Sequence, residues 1–147
     1  MIFHWLFIII TLLLCAVAAL PTRFWLRTGE WAKARGLRGK QVQLKDALAA
    51  QRHPFTPDES FLDRGVGLAV DHERKLVFLA CPQNGAMRAE ILPSSALGPH
   101  EARILSDNGF QENFVEILTP GLANPVWRLP CGDTELAAEV DSALARL

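Results

Sequence analysis

The side chains able to do chemistry in this chain are few and clustered in short groups. Asp71-His72-Glu73 sets an imidazole between two carboxylates, and Pro99-His100-Glu101 repeats half of that arrangement. Such groups are the raw material of general acid–base catalysis or, with further ligands, of a metal site. Ser94-Ser95 offers a hydroxyl pair, Glu112 and Glu116 share a face at even spacing, and Cys81 and Cys131 offer thiols. Most known chemistries ask for more. Ser94-Ser95 lacks the glycine-flanked elbow of a serine hydrolase. Gly36-Leu37-Arg38-Gly39-Lys40 is too short for a phosphate cradle, and no Cys/His spacing suits zinc. No catalytic, cofactor-binding or metal-ligating residue is assigned, and the expectation is a protein that is not an enzyme and uses no cofactor. A small hydrolase built on His72 or His100 with neighbouring carboxylates is the alternative, and it requires those side chains to converge in one concave site.

Local structure decides how each group reads. From residue 61 onward, short apolar runs alternate with turn residues, the pattern of an antiparallel β domain. The expected strands are 65–70, 75–81, 87–92, 101–105, 114–119 and 126–129. In Val66-Gly67-Leu68-Ala69-Val70 one face is apolar, and in Leu76-Val77-Phe78-Leu79-Ala80 both are, so Asp71-His72-Glu73-Arg74-Lys75 falls between as a charged, solvated turn. His100 opens a strand after Gly98-Pro99 and reads as a surface residue beside Glu101. Asn84-Gly85 and Asn108-Gly109 favour tight hairpins because both residues tolerate positive φ. Pro93, Pro120, Pro125 and Pro130 sit at strand ends, where a missing N–H does least harm. Trp127 is expected as a core anchor, and Cys81 and Cys131 as reduced, half-buried thiols. The C-terminal segment is helical: Asp133 or Thr134 caps it, and Leu136, Val140, Leu144 and Leu147 form its apolar stripe.

The N-terminus has a different character. Residues 2–20 are apolar apart from His4 and Thr11, a run of 19 that as a helix would extend roughly 28 Å, about the thickness of a bilayer's hydrocarbon core. Arg23, Arg27, Lys33, Arg35, Arg38 and Lys40 follow, against the single acid Glu30. The positive-inside rule then predicts a single-pass transmembrane helix with a very short outer N-terminus and the rest of the chain cytoplasmic. Trp5 and Trp25 would lie at the two headgroup layers, with the cations on the inner one. A cleaved signal ending at Ala16-Val17-Ala18 is the competing reading and would make the remainder a periplasmic domain. Residues 1–53 carry eight Lys/Arg and two Asp/Glu, whereas residues 54–147 carry seven and fourteen. The acidic part would be repelled by nucleic acid, and no small-molecule substrate is evident.

Between these parts, residues 28–54 read as a basic juxtamembrane connector. Only 41–52 is free of glycine and expected to be helical, and it ends where His53 precedes Pro54. Beyond it, Phe55-Thr56-Pro57-Asp58, Gly67-Leu68-Ala69-Val70-Asp71, Phe114-Val115-Glu116-Ile117-Leu118-Thr119, Asn124-Pro125 and Val126-Trp127-Arg128-Leu129, followed by a helix, occur in an order that resembles the bacterial pleckstrin-homology-like barrels of membrane-associated proteins. The segment 87–92 with Ser94-Ser95 departs from the family's second hairpin, and no basic ligand pocket carries over. The resemblance implies a small barrel or sandwich of six or seven strands closed by a C-terminal helix, with a scaffold-like role.

The sequence therefore predicts an α+β chain with a transmembrane anchor (1–27), a connector (28–54) and a β domain (55–147). The expected membrane-interface residues are Trp5, Arg23, Trp25, Arg27, Lys33, Arg35, Arg38 and Lys40. The expected partners are the bilayer, through residues 2–20, and either another protein or a homo-oligomer, at the inner face of a bacterial inner membrane.

Overall fold

The computed structural model describes residues 2–18 and 22–147, with side chains for 4–16 and 29–147. Two helices, α1 (Ile2–Ala18) and α2 (Thr22–Ala49), precede seven antiparallel strands, and α3 (Thr134–Leu144) follows them. The strands are β1 (Glu59–Ser60), β2 (Leu68–Asp71), β3 (Leu76–Gln83), β4 (Ala86–Pro93), β5 (His100–Asp107), β6 (Phe110–Leu118) and β7 (Val126–Cys131). They form a four-stranded sheet in the order β1-β2-β3-β4 and a three-stranded sheet in the order β5-β6-β7. The fold class is α+β, and its compact β unit is Leu37–Leu147.

The two asparagine–glycine turns fix two of the registers. Asn84 and Gly85 have φ of 51° and 78°, and Asn108 and Gly109 have 49° and 83°, the double positive φ that lets a two-residue link follow the twist of its strands. Gln83 is thereby set opposite Ala86, and Asp107 opposite Phe110. Gly67 has a different role. A Cβ there would meet the Ala80 carbonyl oxygen at 1.8 Å, and the Ala80 N–H donates to the Gly67 carbonyl at 2.8 Å. Only a residue without a side chain allows that approach.

The alternation expected in β2 and β3 is present. Val66, Leu68, Val70, Val77, Leu79 and Cys81 face a core shared with Val115, Ile117, Trp127 and Leu129 of the other sheet and with Leu136, Val140 and Leu144 of α3. The opposite face of the four-stranded sheet, with Ala69, Phe78 and Ala80, is covered by Leu44, Ala47 and Leu48 of α2. Both faces of β3 are apolar because both are buried. Asp133 caps α3, its Oδ1 accepting the Leu136 N–H at 2.7 Å. Leu147 lies beyond the helix and is exposed, so the stripe ends at Leu144.

Two expectations need correction, and a third is not met among the described residues. The connector was expected to be helical only over 41–52, yet α2 is a single helix from Thr22 to Ala49 through Gly29, Gly36 and Gly39. Each glycine weakens a helix by roughly 1 kcal/mol, a deficit that the packing of Leu44 and Leu48 on the sheet helps to offset. β6 begins at Phe110 rather than near 114, because the Asn108-Gly109 turn starts the strand at once. The expected spanning helix over 2–20 is described as α1, 17 residues ending at Ala18, while residues 22–27 belong to α2. Among the described residues no helix is long and apolar enough to cross a membrane.

Candidate functional site

The Asp71–Lys75 segment is a turn, but it is held more tightly than its composition suggests. Asp71 ends β2 and is buried, 2% exposed. Its carboxylate accepts the Arg74 N–H at 3.0 Å and the Thr56 N–H at 3.4 Å, with the Arg74 guanidinium also at 3.4 Å. This is the side-chain-to-backbone bridge by which aspartate stabilises turns. His72 faces outward. Its N–H donates to Asp58 Oδ1 at 3.1 Å and its ring Nδ1 lies 2.8 Å from Asp58 Oδ2. Asp58 is held below the usual carboxylate range by the His72 backbone N–H above all, with the imidazole adding to the effect. Glu59 lies 3.9 Å from the other ring nitrogen and is bound by Arg146 at 2.6 Å.

His100 finds its partner across the fold rather than beside it in sequence. Its Nδ1 lies 2.7 Å from Asp141 Oδ1, tying β5 to α3. The adjacent Glu101 instead binds Arg103 at 3.1 Å. The two histidines thus sit apart, His72 in the β2–β3 turn of one sheet and His100 on β5 of the other, each with its own carboxylate and sharing no partner. Among the described residues no three His, Cys, Asp or Glu side chains converge to hold a metal ion.

Beyond the histidines, a groove of about 560 Å³ runs between α3 and the segment holding β1, lined by Glu59, Phe61, Arg64, Glu139 and Arg146 among others. Arg64 to Glu139 and Arg146 to Glu59 bridge it. Glu112 is exposed, while Glu116 is held between Arg103 at 3.8 Å and Arg128 at 3.1 Å. Both carboxylates are therefore electrostatic partners or solvated groups of the sheet surface. Ser94-Ser95 opens a 3-10 turn, Ser94–Ala96, after β4.

Trp127 is fully buried and donates its indole N–H to Thr119 Oγ1 at 3.2 Å. The Arg88 guanidinium stacks 3.5 Å from the Trp127 ring centre and donates to the carbonyls of Asn124 and Val126. This joins β4 of one sheet to β7 of the other. Burial pushes the Cys81 thiol up and the Cys131 thiol up to about 11, so neither is poised as a nucleophile.

Among the expected membrane-interface residues, Trp5, Lys33, Arg35, Arg38 and Lys40 are exposed. The side chains of Arg23, Trp25 and Arg27 lie outside those described. The Arg35 guanidinium lies 5.1 Å from the centre of the Trp31 ring, and Trp31 is 64% exposed. Sequence reasoning passed over Trp31, although its spacing of i, i+4 and i+7 from Arg35 and Arg38 places the three on one helical face. It also missed Asp58 and Asp141, because a residue 14 or 41 positions away leaves no local signal. No protein family, curated protein or solved structure matches this chain.

Proposed function

We propose that this chain is a non-catalytic interaction module held at the cytoplasmic face of a bacterial inner membrane, with a pleckstrin-homology-like β domain as its docking body. The observation that carries the reading is on the two N-terminal helices. In α1, Trp5, Leu6, Phe7, Ile9, Leu12, Leu13 and Leu14 are all exposed by half or more. Such a continuous apolar surface is stable only when lipid or another protein covers it. In α2, Lys33, Arg35, Arg38 and Lys40 are exposed, and the Arg35 guanidinium lies over the ring of the exposed Trp31, a composition suited to anionic headgroups. The reading takes α1 together with residues 19 and 20, outside the described residues, as the anchor.

Seven antiparallel strands followed by a C-terminal helix agree in number and order with the six or seven strands and closing helix that the resemblance implies, and this supports the reading of residues 55–147 as such a domain. The histidine–carboxylate pairs tie elements together: His72 fastens the β2–β3 turn to the chain before β1, and His100 fastens β5 to α3. The test is fractionation. The full chain should stay with membranes through an alkaline carbonate wash, and a version lacking residues 2–28 should be released. Recovery of the full chain in the soluble fraction would overturn the proposal.

A further inference from the structure

The β5–β6 hairpin runs past the core that its sheet helps to form. Every residue of β5 after His100 is exposed, as are Phe110, Gln111 and Glu112 opposite its far end. The register is nevertheless unbroken from His100 opposite Ile117 to Asp107 opposite Phe110. Among the described residues β5 is an edge strand whose outer side has no neighbouring strand. Proteins usually blunt such edges with proline, bulges or very short strands. The other edges here follow that practice, since β1 has two residues, β4 ends in Pro93 and β7 contains Pro130. The far half of β5 has none of these devices, and it shows Ile104, 57% exposed, on one face and Leu105, 50% exposed, on the other.

The turn sets which backbone groups point outward. In a two-residue Asn-Gly hairpin the flanking residues, here Asp107 and Phe110, form a hydrogen-bonded pair. Alternation then turns the N–H and C=O of Asp107, Leu105 and Arg103 toward β6, and those of Ser106 and Ile104 toward the open edge. We propose that this edge pairs with itself: the occupant is β5 of a second copy, antiparallel, with the two-fold axis at Leu105. Ile104 then exchanges backbone hydrogen bonds with Ser106 of the partner subunit, and Leu105 packs on its own counterpart. Arg103 lies opposite Asp107 of the partner subunit on both sides of the axis. The charges choose this register. An axis at Ile104 sets Glu101 against Asp107 of the partner subunit, and an axis at Arg103 sets two guanidinium groups against each other.

The ladder is short, so affinity in dilute solution is low, and confinement of both copies to one membrane raises their effective concentration. The inference rests on the reading as an interaction module and names its partner. It is tested on the full chain co-reconstituted in lipid vesicles or, if the chain proves soluble, at high concentration in plain buffer, so its outcome is separate from that of fractionation. Copies carrying two different fluorophores are mixed and energy transfer is measured. Wild-type copies should associate. Arg103→Asp and Asp107→Arg should each lower self-association by about thirtyfold, the effect of turning two attractive pairs into two repulsive ones. Arg103→Asp mixed with Asp107→Arg should regain wild-type transfer, as should the double swap with itself, which also shows that the variants fold. Wild-type copies that do not associate, single variants that associate undiminished, or a mixture that stays apart would each overturn the proposal.

Discussion

Replacing Asp71 and His72 separately distinguishes a structural turn from a reactive one. Asp71→Ala removes a buried carboxylate that accepts the Arg74 N–H at 3.0 Å and, more weakly, the Thr56 N–H at 3.4 Å. A hydrogen bond to a charged acceptor contributes about 2 kcal/mol and the longer one about 1, so the expected loss is about 3 kcal/mol. His72→Ala leaves the backbone N–H on Asp58 and removes only the ring contact, between side chains 37% and 55% exposed. Exposed pairs of this kind are screened by solvent and contribute little to stability. Urea unfolding of the full chain in mild detergent, followed by the fluorescence of buried Trp127, reads both. With a slope of about 1.5 kcal/mol per molar, the midpoint should fall by about 2 M for Asp71→Ala and should scarcely move for His72→Ala. Equal shifts, or a larger one for His72→Ala, would refute the assignment of the turn's stability to the buried carboxylate.

Gly67→Ala should destabilise by about 4 kcal/mol, because its Cβ would lie 1.8 Å from the Ala80 carbonyl and the strands must part to admit it; a urea midpoint near wild type would show that β2 yields there. The Cys131 thiol, raised from 9.0 to about 11 by burial, keeps its proton in the folded chain over a range where the unfolded chain has lost it. Stability should therefore fall as pH rises from about 9 to 11, by up to about 1.4 kcal/mol per pH unit, and the fall should be shallower in Cys131→Ala. Replacing Lys33, Arg35, Arg38 and Lys40 with Gln removes four charges worth about 1 kcal/mol each at an anionic surface, so partitioning to phosphatidylserine vesicles should drop by up to roughly a thousandfold while partitioning to neutral vesicles changes little.

Local chemistry made much of the β domain legible. Asn84-Gly85 placed its hairpin within two residues, Asn108-Gly109 marked the second turn although the start of β6 was set four residues late, and the two-faced apolar run of β3 signalled burial on both sides. What covered the second face was not legible, because Leu44 and Leu48 fall in the 41–52 segment expected to be helical and no local signal says which sheet face a connector helix will pack on. Asp71 was misread for a related reason. A charged pentapeptide between strands looks solvated, and only the Arg74 N–H three residues on, where an aspartate can bridge, hints that its first member turns inward. The histidine partners Asp58 and Asp141 depend on tertiary approach and carry no local mark. Phe114 lies on the outer face of its sheet and is nevertheless buried, under the Arg128 guanidinium 5.6 Å from its ring centre, an arrangement that alternation alone does not reveal.

The placement of the acidic β domain inside the cell is tested most directly by two C-terminal fusions expressed from the same promoter, one to a fluorescent protein that matures only in the cytoplasm and one to a phosphatase active only outside it. A β domain on the cytoplasmic side gives bright membrane-bound fluorescence and an inactive phosphatase, on a chain that keeps its first 20 residues. An active phosphatase on a chain shortened near Ala18 would contradict it.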